Sequence, residues 1–351
     1  MESATEITAL PGLETVAPVT APHEGHWIQR VTEKRLMVFG GRSHPELTAR
    51  IAENLGVEPG EVELETFANG ETYCRYHESI RGADVFIVQT GCEPVDRNLM
   101  ELLFMIQAAK LASAKRLTAV MPLFPYARQD RKAKPREPIS ARLVADMLQL
   151  AGADRILTMD LHAGQIQGFF TIPVDHMTAQ QLFARHFRDL GFTGEGIVSV
   201  SPDAGRAKMA VRFAEMIEAD FAIMHKTRPG RDEVAVTEIT GRVRDKLAIV
   251  GDDVIMTGGT LLANVEALKE AGAREVWVFA THGLFCGNAL ERFTASDLAG
   301  IVVTDTVPID IVNKPDNMTV LPIGGLLAET IVNVFADDSV SAIFGGENQL
   351  F

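Results

Sequence analysis

Residues 246–260 read Lys246-Leu-Ala-Ile-Val-Gly-Asp-Asp-Val-Ile-Met-Thr-Gly-Gly-Thr260. The apolar run 247–250 has the length and character of a buried strand, and residues 261–270 carry apolar side chains at helical spacing. Between them lie two acids and then Thr257-Gly258-Gly259-Thr260. A strand that breaks into a glycine turn and re-enters as a helix is half of a βαβ unit, the building block of a parallel sheet.

Working outward, the same rhythm recurs. Strands are expected at 36–39, 85–89, 117–121 and 156–159, with helices at 45–55, 98–111 and 140–150. The second half gives strands at 197–200, 221–224 and 276–280 and a helix at 207–216. This predicts an α/β chain of two doubly wound domains with mainly parallel sheets, joined near residues 175–185. No strict internal repeat accompanies the rhythm.

The composition agrees. A chain of 351 residues that is 46% hydrophobic can build two sizeable cores. A net charge of −14 opposes wholesale binding to nucleic acid or anionic membranes, so an anionic ligand needs a local basic patch. Three scattered cysteines, Cys74, Cys92 and Cys286, build neither a disulfide framework nor a zinc site and suit a reducing, cytoplasmic compartment. No run of ~18 apolar residues spans a membrane. Residues 1–34, rich in Pro, Thr, Ala and Glu without a period, read as a flexible arm and lack the pattern of a secretory signal.

In open parallel sheets, ligands bind beyond the carboxyl ends of the strands, so the chemistry is sought in the strand-to-helix turns. At 257–260, glycines let the backbone approach a phosphate, hydroxyls add donors, and the helix N-terminus supplies N–H groups. Asp252 and Asp253 would repel a phosphate but accept hydrogen bonds from the vicinal hydroxyls of a sugar. The turn therefore reads as a sugar-phosphate site, against the plainer reading of a glycine turn that caps a helix. The chain has no Gly-Lys pair, so a Walker loop is excluded.

A second candidate is Tyr126-Ala-Arg-Gln-Asp-Arg-Lys132, continuing through Lys134 and Arg136 after the strand at 117–121. Its cations could close over a polyphosphate and stabilise charge on a transferring phosphorus; a solvated charged face is the alternative. A third is Asp160-Leu-His-Ala-Gly, where His162 suits a nucleotide or metal role, or is a satisfied core histidine. Asp203, in Ser201-Pro-Asp-Ala-Gly205, is a hard oxygen ligand placed for Mg²⁺. Lys226 and Arg228 alternate, so in an extended segment they face one way and make an anion clamp, or a plain surface pair. Phe67-Ala-Asn-Gly-Glu71 reads as a turn, and Glu78-Ser-Ile-Arg-Gly82 is ambiguous.

The strings Tyr-Ala-Arg-Gln-Asp-Arg-Lys, Asp-Leu-His-Ala-Gly-Gln-Ile-Gln-Gly-Phe-Phe, Ser-Pro-Asp-Ala-Gly and Thr-Gly-Gly-Thr occur here in order. With them the chain, from about Arg35 to Phe344, resembles the ribose-phosphate diphosphokinases (PRPP synthetases) of the phosphate-activated class. The resemblance implies two phosphoribosyltransferase-like domains, an ATP-side domain at 35–178 and a ribose 5-phosphate-side domain at 179–336. A tail at 337–351 would return to the first.

It also implies a Mg²⁺-dependent transfer of the diphosphoryl group of ATP to ribose 5-phosphate, yielding 5-phosphoribosyl 1-diphosphate and AMP for nucleotide biosynthesis. ATP would be held by Phe67, Asn69, Gly70, Glu71, Arg128, Gln129 and His162. The metal would sit on His162 and Asp203. Ribose 5-phosphate would meet Arg228, Asp252, Asp253, Thr257, Gly258, Gly259 and Thr260, with Lys226 and Arg131 catalytic. Ser79, Arg81, Gln167, Asp175, Ser339 and Ser341 would form an effector site for phosphate and ADP. A homo-oligomer, a hexamer of dimers, is expected, with no nucleic acid or membrane partner.

Three positions depart from the family's pattern. Met256 stands where a third acid is frequent, Arg206 where a second glycine is, and Gly251 where an apolar residue is. They motivate an alternative, a catalytically weak or silent regulatory subunit of such a synthetase. A phosphoribosyltransferase, which shares the acid pair and the Thr-Gly-Gly-Thr turn, is a third reading.

Overall fold

The computed structural model describes residues 34–227 and 235–344. The expected arm, apart from Lys34, the end of the tail and Arg228 lie outside the described residues, as does the side chain of Lys226. Beyond Lys34 the described residues pack as one compact unit.

In chain order the first lobe runs β1 (Leu36–Gly40), α1 (Pro45–Leu55), β2 (Val62–Thr66), β3 (Thr72–Tyr76), β4 (Asp84–Val88), α2 (Val95–Leu111), β5 (Arg116–Met121), α3 (Ser140–Ala151), β6 (Arg155–Met159) and β7 (Val174–Met177). Five of these strands form a wholly parallel sheet in the order β1-β4-β5-β6-β7. Every residue of β4 is buried, as expected of a strand covered by helices on both faces. Local signals fix the helices. His44 caps α1 by accepting from Leu47 N at 3.4 Å, and Pro45 opens it. In α3, Ala141, Val144, Ala145 and Leu148 form the buried stripe.

The second lobe continues with α4 (Gln180–Asp189), β8 (Ile197–Ser201), α5 (Ala207–Met216), β9 (Asp220–Thr227), β10 (Ala235–Thr240), β11 (Leu247–Ile255), α6 (Gly259–Glu270), β12 (Glu275–Gly283), α7 (Ala289–Thr294), β13 (Gly300–Thr304), β14 (Met318–Leu321) and α8 (Gly324–Ala336). Its seven strands are ordered β10-β9-β8-β11-β12-β13-β14. Only the β9–β10 pair is antiparallel. Both lobes are thus α/β with mainly parallel sheets.

The lobes share a core. Val38, Phe86 and Leu157 of the first sheet lie in one apolar cluster with Phe183, Phe213, Phe279, Val302 and Leu327 of the second lobe. Helix α8 returns to pack on α1. Asp305, following β13, ties the seam: its Oδ2 accepts from Arg50 Nη1 at 2.5 Å and its Oδ1 from Ile323 N at 2.7 Å. Past α8, Arg116 of β5 hydrogen-bonds to both Asp84 and Asp337.

Several expectations need correction. The strand expected at 247–250 runs to Ile255, because β12 offers ladder partners as far as Gly283; Asp252 and Asp253 therefore sit on the strand and not in the turn. The strand expected at 221–224 runs to Thr227, because β10 returns alongside it. Lys226 pairs with Val236 on that strand rather than lying past it. Helix α2 begins at Val95, three residues before 98.

Candidate active site

The carboxyl ends of β6, β8 and β11 meet at the seam. Beyond β6, Asp160 adopts φ 34°, a left-handed conformation that costs free energy in a non-glycine residue. Its Oδ2 accepts from Ala179 N at 2.8 Å and from Thr281 Oγ1 of β12 at 2.6 Å, bonds that hold this turn in place. Leu161 N donates to His176 Nε2 at 2.8 Å. The next residue, His162, is thereby aimed across the seam, and its Nδ1 lies 2.7 Å from Asp253 Oδ2 of the second lobe.

Beyond β8, Ser201 Oγ donates to the Asp203 carbonyl at 2.6 Å, and the Asp203 carboxylate accepts from Arg206 N at 3.2 Å. This tight turn throws the Arg206 side chain onto the acids. Its Nη2 lies 2.6 Å from Asp253 Oδ1 and its Nε 3.6 Å from Asp252 Oδ1. Burial raises Asp252 well above the ordinary carboxylate range, and the neighbouring Asp253 charge adds to the rise. Burial pushes Asp253 up as well, but the His162 hydrogen bond and the Arg206 guanidinium outweigh it and hold this carboxyl well below the usual range. The two carboxyls are thus driven apart in proton affinity, as happens when like charges crowd.

The turn after β11 has a steric signature. Gly258 has φ 69°, and a Cβ there would come within 2.4 Å of the Phe293 ring. Only glycine fits. Helix α6 then starts at Gly259, so the N-terminal amides of α6 open onto the turn. Arg128 Nη1 reaches Met256 Sδ at 2.7 Å, which brings the cationic segment of the first lobe onto this turn. Gly251 also has a reason: a Cβ there would lie 2.4 Å from the Phe279 ring.

A cavity of about 520 Å³ is lined by Arg128, Arg131, His162, Asp203, Arg206, Asp252, Asp253 and residues 257–260. The Arg128 segment, the His162 turn, the Asp203 turn and residues 252–260 therefore converge in one crevice. Lys226 lies on strand β9, which runs parallel to β8 with Ser201 opposite Ile223. An adjoining cavity of about 530 Å³ shares Arg131, His162, Arg206 and both acids and adds Lys208 and Arg212. Sequence reasoning missed these two cations, although their spacing of four on α5 places them on one helix face. It also missed Thr281 and its bond to Asp160, which depends on two strands far apart in sequence.

Other predicted residues stay outside the crevice. Phe67, Asn69, Gly70 and Glu71 form the exposed tip of the β2–β3 hairpin and line neither cavity. Gln129 lines a third, apolar cavity of about 310 Å³ beside Arg128 and Met256. Of the expected effector residues, Asp175 is paired with Arg155 at 2.7 Å, Gln167 donates to Gly164 O at 3.1 Å, and the Ser339 and Ser341 hydroxyls lie 2.7 Å apart. Ser79 and Arg81 are exposed. The four described cavities contain none of the six.

The donor chemistry fits Mg²⁺. Asp203 offers a hard carboxylate and His162 an imidazole, both facing the 520 Å³ cavity. Among the described residues there is no cluster of three or more metal-ligating side chains. Mg²⁺ needs none, since it takes one or two protein groups and completes its shell with water and substrate phosphates.

Two α/β lobes thus meet in one crevice that carries an acid pair, a glycine–threonine turn and the cations Arg128 and Arg131. Residues 36–152 match the N-terminal domain of ribose phosphate pyrophosphokinase, and residues 230–345 match the phosphoribosyl synthetase-associated domain. A ribose-phosphate pyrophosphokinase of Corynebacterium efficiens is 47% identical over 325 residues, covering 92% of this chain and 99% of its own. One of Mycobacterium tuberculosis is 46% identical over 317 residues, covering 90% and 97%. The crystal structure of phosphoribosylpyrophosphate synthetase from Mycobacterium smegmatis superposes with a TM-score of 0.80 at 45% identity, over 87% of this chain and 100% of that one. The chain belongs to the ribose-phosphate pyrophosphokinase family. Among the described residues no helix is long and apolar enough to cross a membrane.

Proposed function

We propose that the protein transfers the diphosphoryl group of Mg²⁺-ATP to the anomeric hydroxyl of ribose 5-phosphate. The observation that carries this is the 520 Å³ cavity, where Asp252, Asp253 and residues 257–260 face Arg128, Arg131, His162 and Asp203.

The 5-phosphate sits on the Thr257–Thr260 turn, where amides at the start of α6 and threonine hydroxyls donate to it. Asp252 and Asp253 accept from the ribose hydroxyls and so orient the anomeric oxygen. The triphosphate lies under Arg128 and Arg131, and Lys226 and Arg228 are the further cations that the sequence assigns to it. The anomeric oxygen attacks the β-phosphorus in line, the bond from that phosphorus to the α-phosphate oxygen breaks, and AMP leaves. Arg131 and Lys226 neutralise charge on the transferring group, an effect worth roughly 10³-fold or more in this chemistry. His162 and Asp203 would hold Mg²⁺, which would supply positive charge to offset that of the triphosphate.

Because the Phe67–Glu71 tip stands away from the crevice of its own chain, the adenine of ATP is read by this tip from a neighbouring copy. The protein accordingly works as a homo-oligomer, a hexamer built from dimers. The division of labour is residues 35–178 for ATP and 179–336 for the sugar, with a cytoplasmic location. Phosphate and ADP act as effectors through Ser79, Arg81, Gln167, Asp175, Ser339 and Ser341.

Phosphorus NMR of the purified protein with ATP, Mg²⁺ and ribose 5-phosphate tests the reading. It predicts AMP and 5-phosphoribosyl 1-diphosphate in equal amounts, and no AMP when the sugar is left out. ADP as the nucleotide product, or no turnover, contradicts it.

A further inference from the structure

We infer that Arg206 is a tethered cation that competes for the Asp252–Asp253 acid pair and the adjoining His162 imidazole, and that it must leave them before the pentose hydroxyls can use the acids or a divalent cation the imidazole. The sugar half of this inference rests on the function proposed above; the cation half does not.

Three observations carry it. First, the guanidinium takes the places a ligand would use. It contacts Asp253 Oδ1 at 2.6 Å, Asp252 Oδ1 at 3.6 Å and His162 Nδ1 at 3.0 Å, so one side chain engages both acids and the imidazole.

Second, the contacts are mutually incompatible. His162 Nδ1 lies 2.7 Å from the Asp253 carboxylate, which only accepts, so that contact requires a proton on Nδ1. Arg206 Nη2 only donates, so its contact requires a lone pair on the same nitrogen. One nitrogen cannot serve both at once. Either contact is relieved if the guanidinium swings away.

Third, there is room to swing. Arg206 lines both the 520 Å³ and the 530 Å³ cavities. Arg206 N is held by Asp203, so the swing asks only the side chain to move.

A ligand that binds only the open form has its affinity reduced by the fraction of molecules that are open. With the guanidinium on the acids most of the time, removing it tightens binding by roughly 10-fold or more. The test uses the full-length protein without nucleotide. Mn²⁺ binding is followed by electron paramagnetic resonance, and ribose 5-phosphate binding by calorimetry, for wild type, Arg206→Gln and Arg206→Lys. Thermal midpoints report folding.

The expected result is tighter Mn²⁺ and sugar-phosphate binding in Arg206→Gln, with Arg206→Lys between it and wild type. Unchanged or weaker Mn²⁺ binding in a folded Arg206→Gln overturns the inference, because Arg206 then helps the site or stands outside it. Should Arg206→Gln fail to fold, Arg206→Lys decides by the same criterion. Tighter Mn²⁺ binding in a protein that transfers no diphosphoryl group upholds the tethered cation and sinks the proposed function. Active transfer without tightening does the reverse.

Discussion

At the scale of single residues, the crevice divides into groups that hold shape and groups that carry charge. Gly251 holds shape. Gly251→Val puts side-chain atoms into the Phe279 ring, which is itself buried in the shared core. Overpacking of this kind costs about 1–3 kcal/mol, and urea unfolding measures it. Arg131 carries charge and is exposed, so Arg131→Ala should leave the thermal midpoint nearly unchanged while kcat falls by roughly 10²–10³-fold. An Arg131→Ala protein with undiminished turnover removes that residue from the mechanism. The acid pair and the Thr257–Thr260 turn could be read from the sequence because their order along one strand and one helix is local. The grip of Arg206 on that pair could not. It depends on a tight turn after β8 approaching β11, and residue order does not encode that approach.

At the scale of elements, the βα rhythm was legible in most of the apolar strands, although β13, Gly300–Thr304, is buried throughout and was not among those expected. Strand β7, Val174–Met177, and strand β10, Ala235–Thr240, were not, since both mix polar and apolar residues at sheet edges. The β2–β3 hairpin showed only its turn, because its strands are partly exposed and carry alternating charges. That hairpin is braced from the main sheet. Arg42, after β1, donates to Thr66 at 3.1 Å and pairs with Glu101 of α2 at 2.5 Å. Glu101 is 1% exposed and, among the described residues, has one other side-chain partner, Gln89, at 3.0 Å. Arg42→Met therefore leaves a buried carboxylate short of its cation. The expected loss is about 3 kcal/mol of stability, with looser binding of ATP if the hairpin tip reads adenine. An Arg42→Met protein as stable as wild type would show that Glu101 does not need this partner.

At the scale of the whole molecule, the lobes act as one body because an apolar cluster and a set of polar bonds cross the seam. His176 reports on that seam. Burial lowers it to about 4 from its ordinary 6.5; Asp160 opposes the shift and His282 reinforces it. Between those two values the unfolded chain binds a proton that the folded chain does not, so stability falls as pH drops through that window. Thermal midpoints should decline from pH 6.5 towards 4, and His176→Gln should flatten the decline. A profile unaltered by that substitution would locate the acid sensitivity elsewhere. The sequence did predict two α/β blocks, but not how tightly they join, since α8 crosses back to α1 and Asp305 bonds to both sides.

The claim on which the rest depends is that one crevice brings a pentose phosphate to the β-phosphorus of ATP. The most direct measurement supplies ATP labelled at the β-phosphorus, with Mg²⁺ and ribose 5-phosphate, and follows where the label goes. It should appear on the sugar as a diphosphate, one equivalent for each AMP released. Label that stays with the nucleotide, or is released as free phosphate or diphosphate without joining the sugar, would contradict the account.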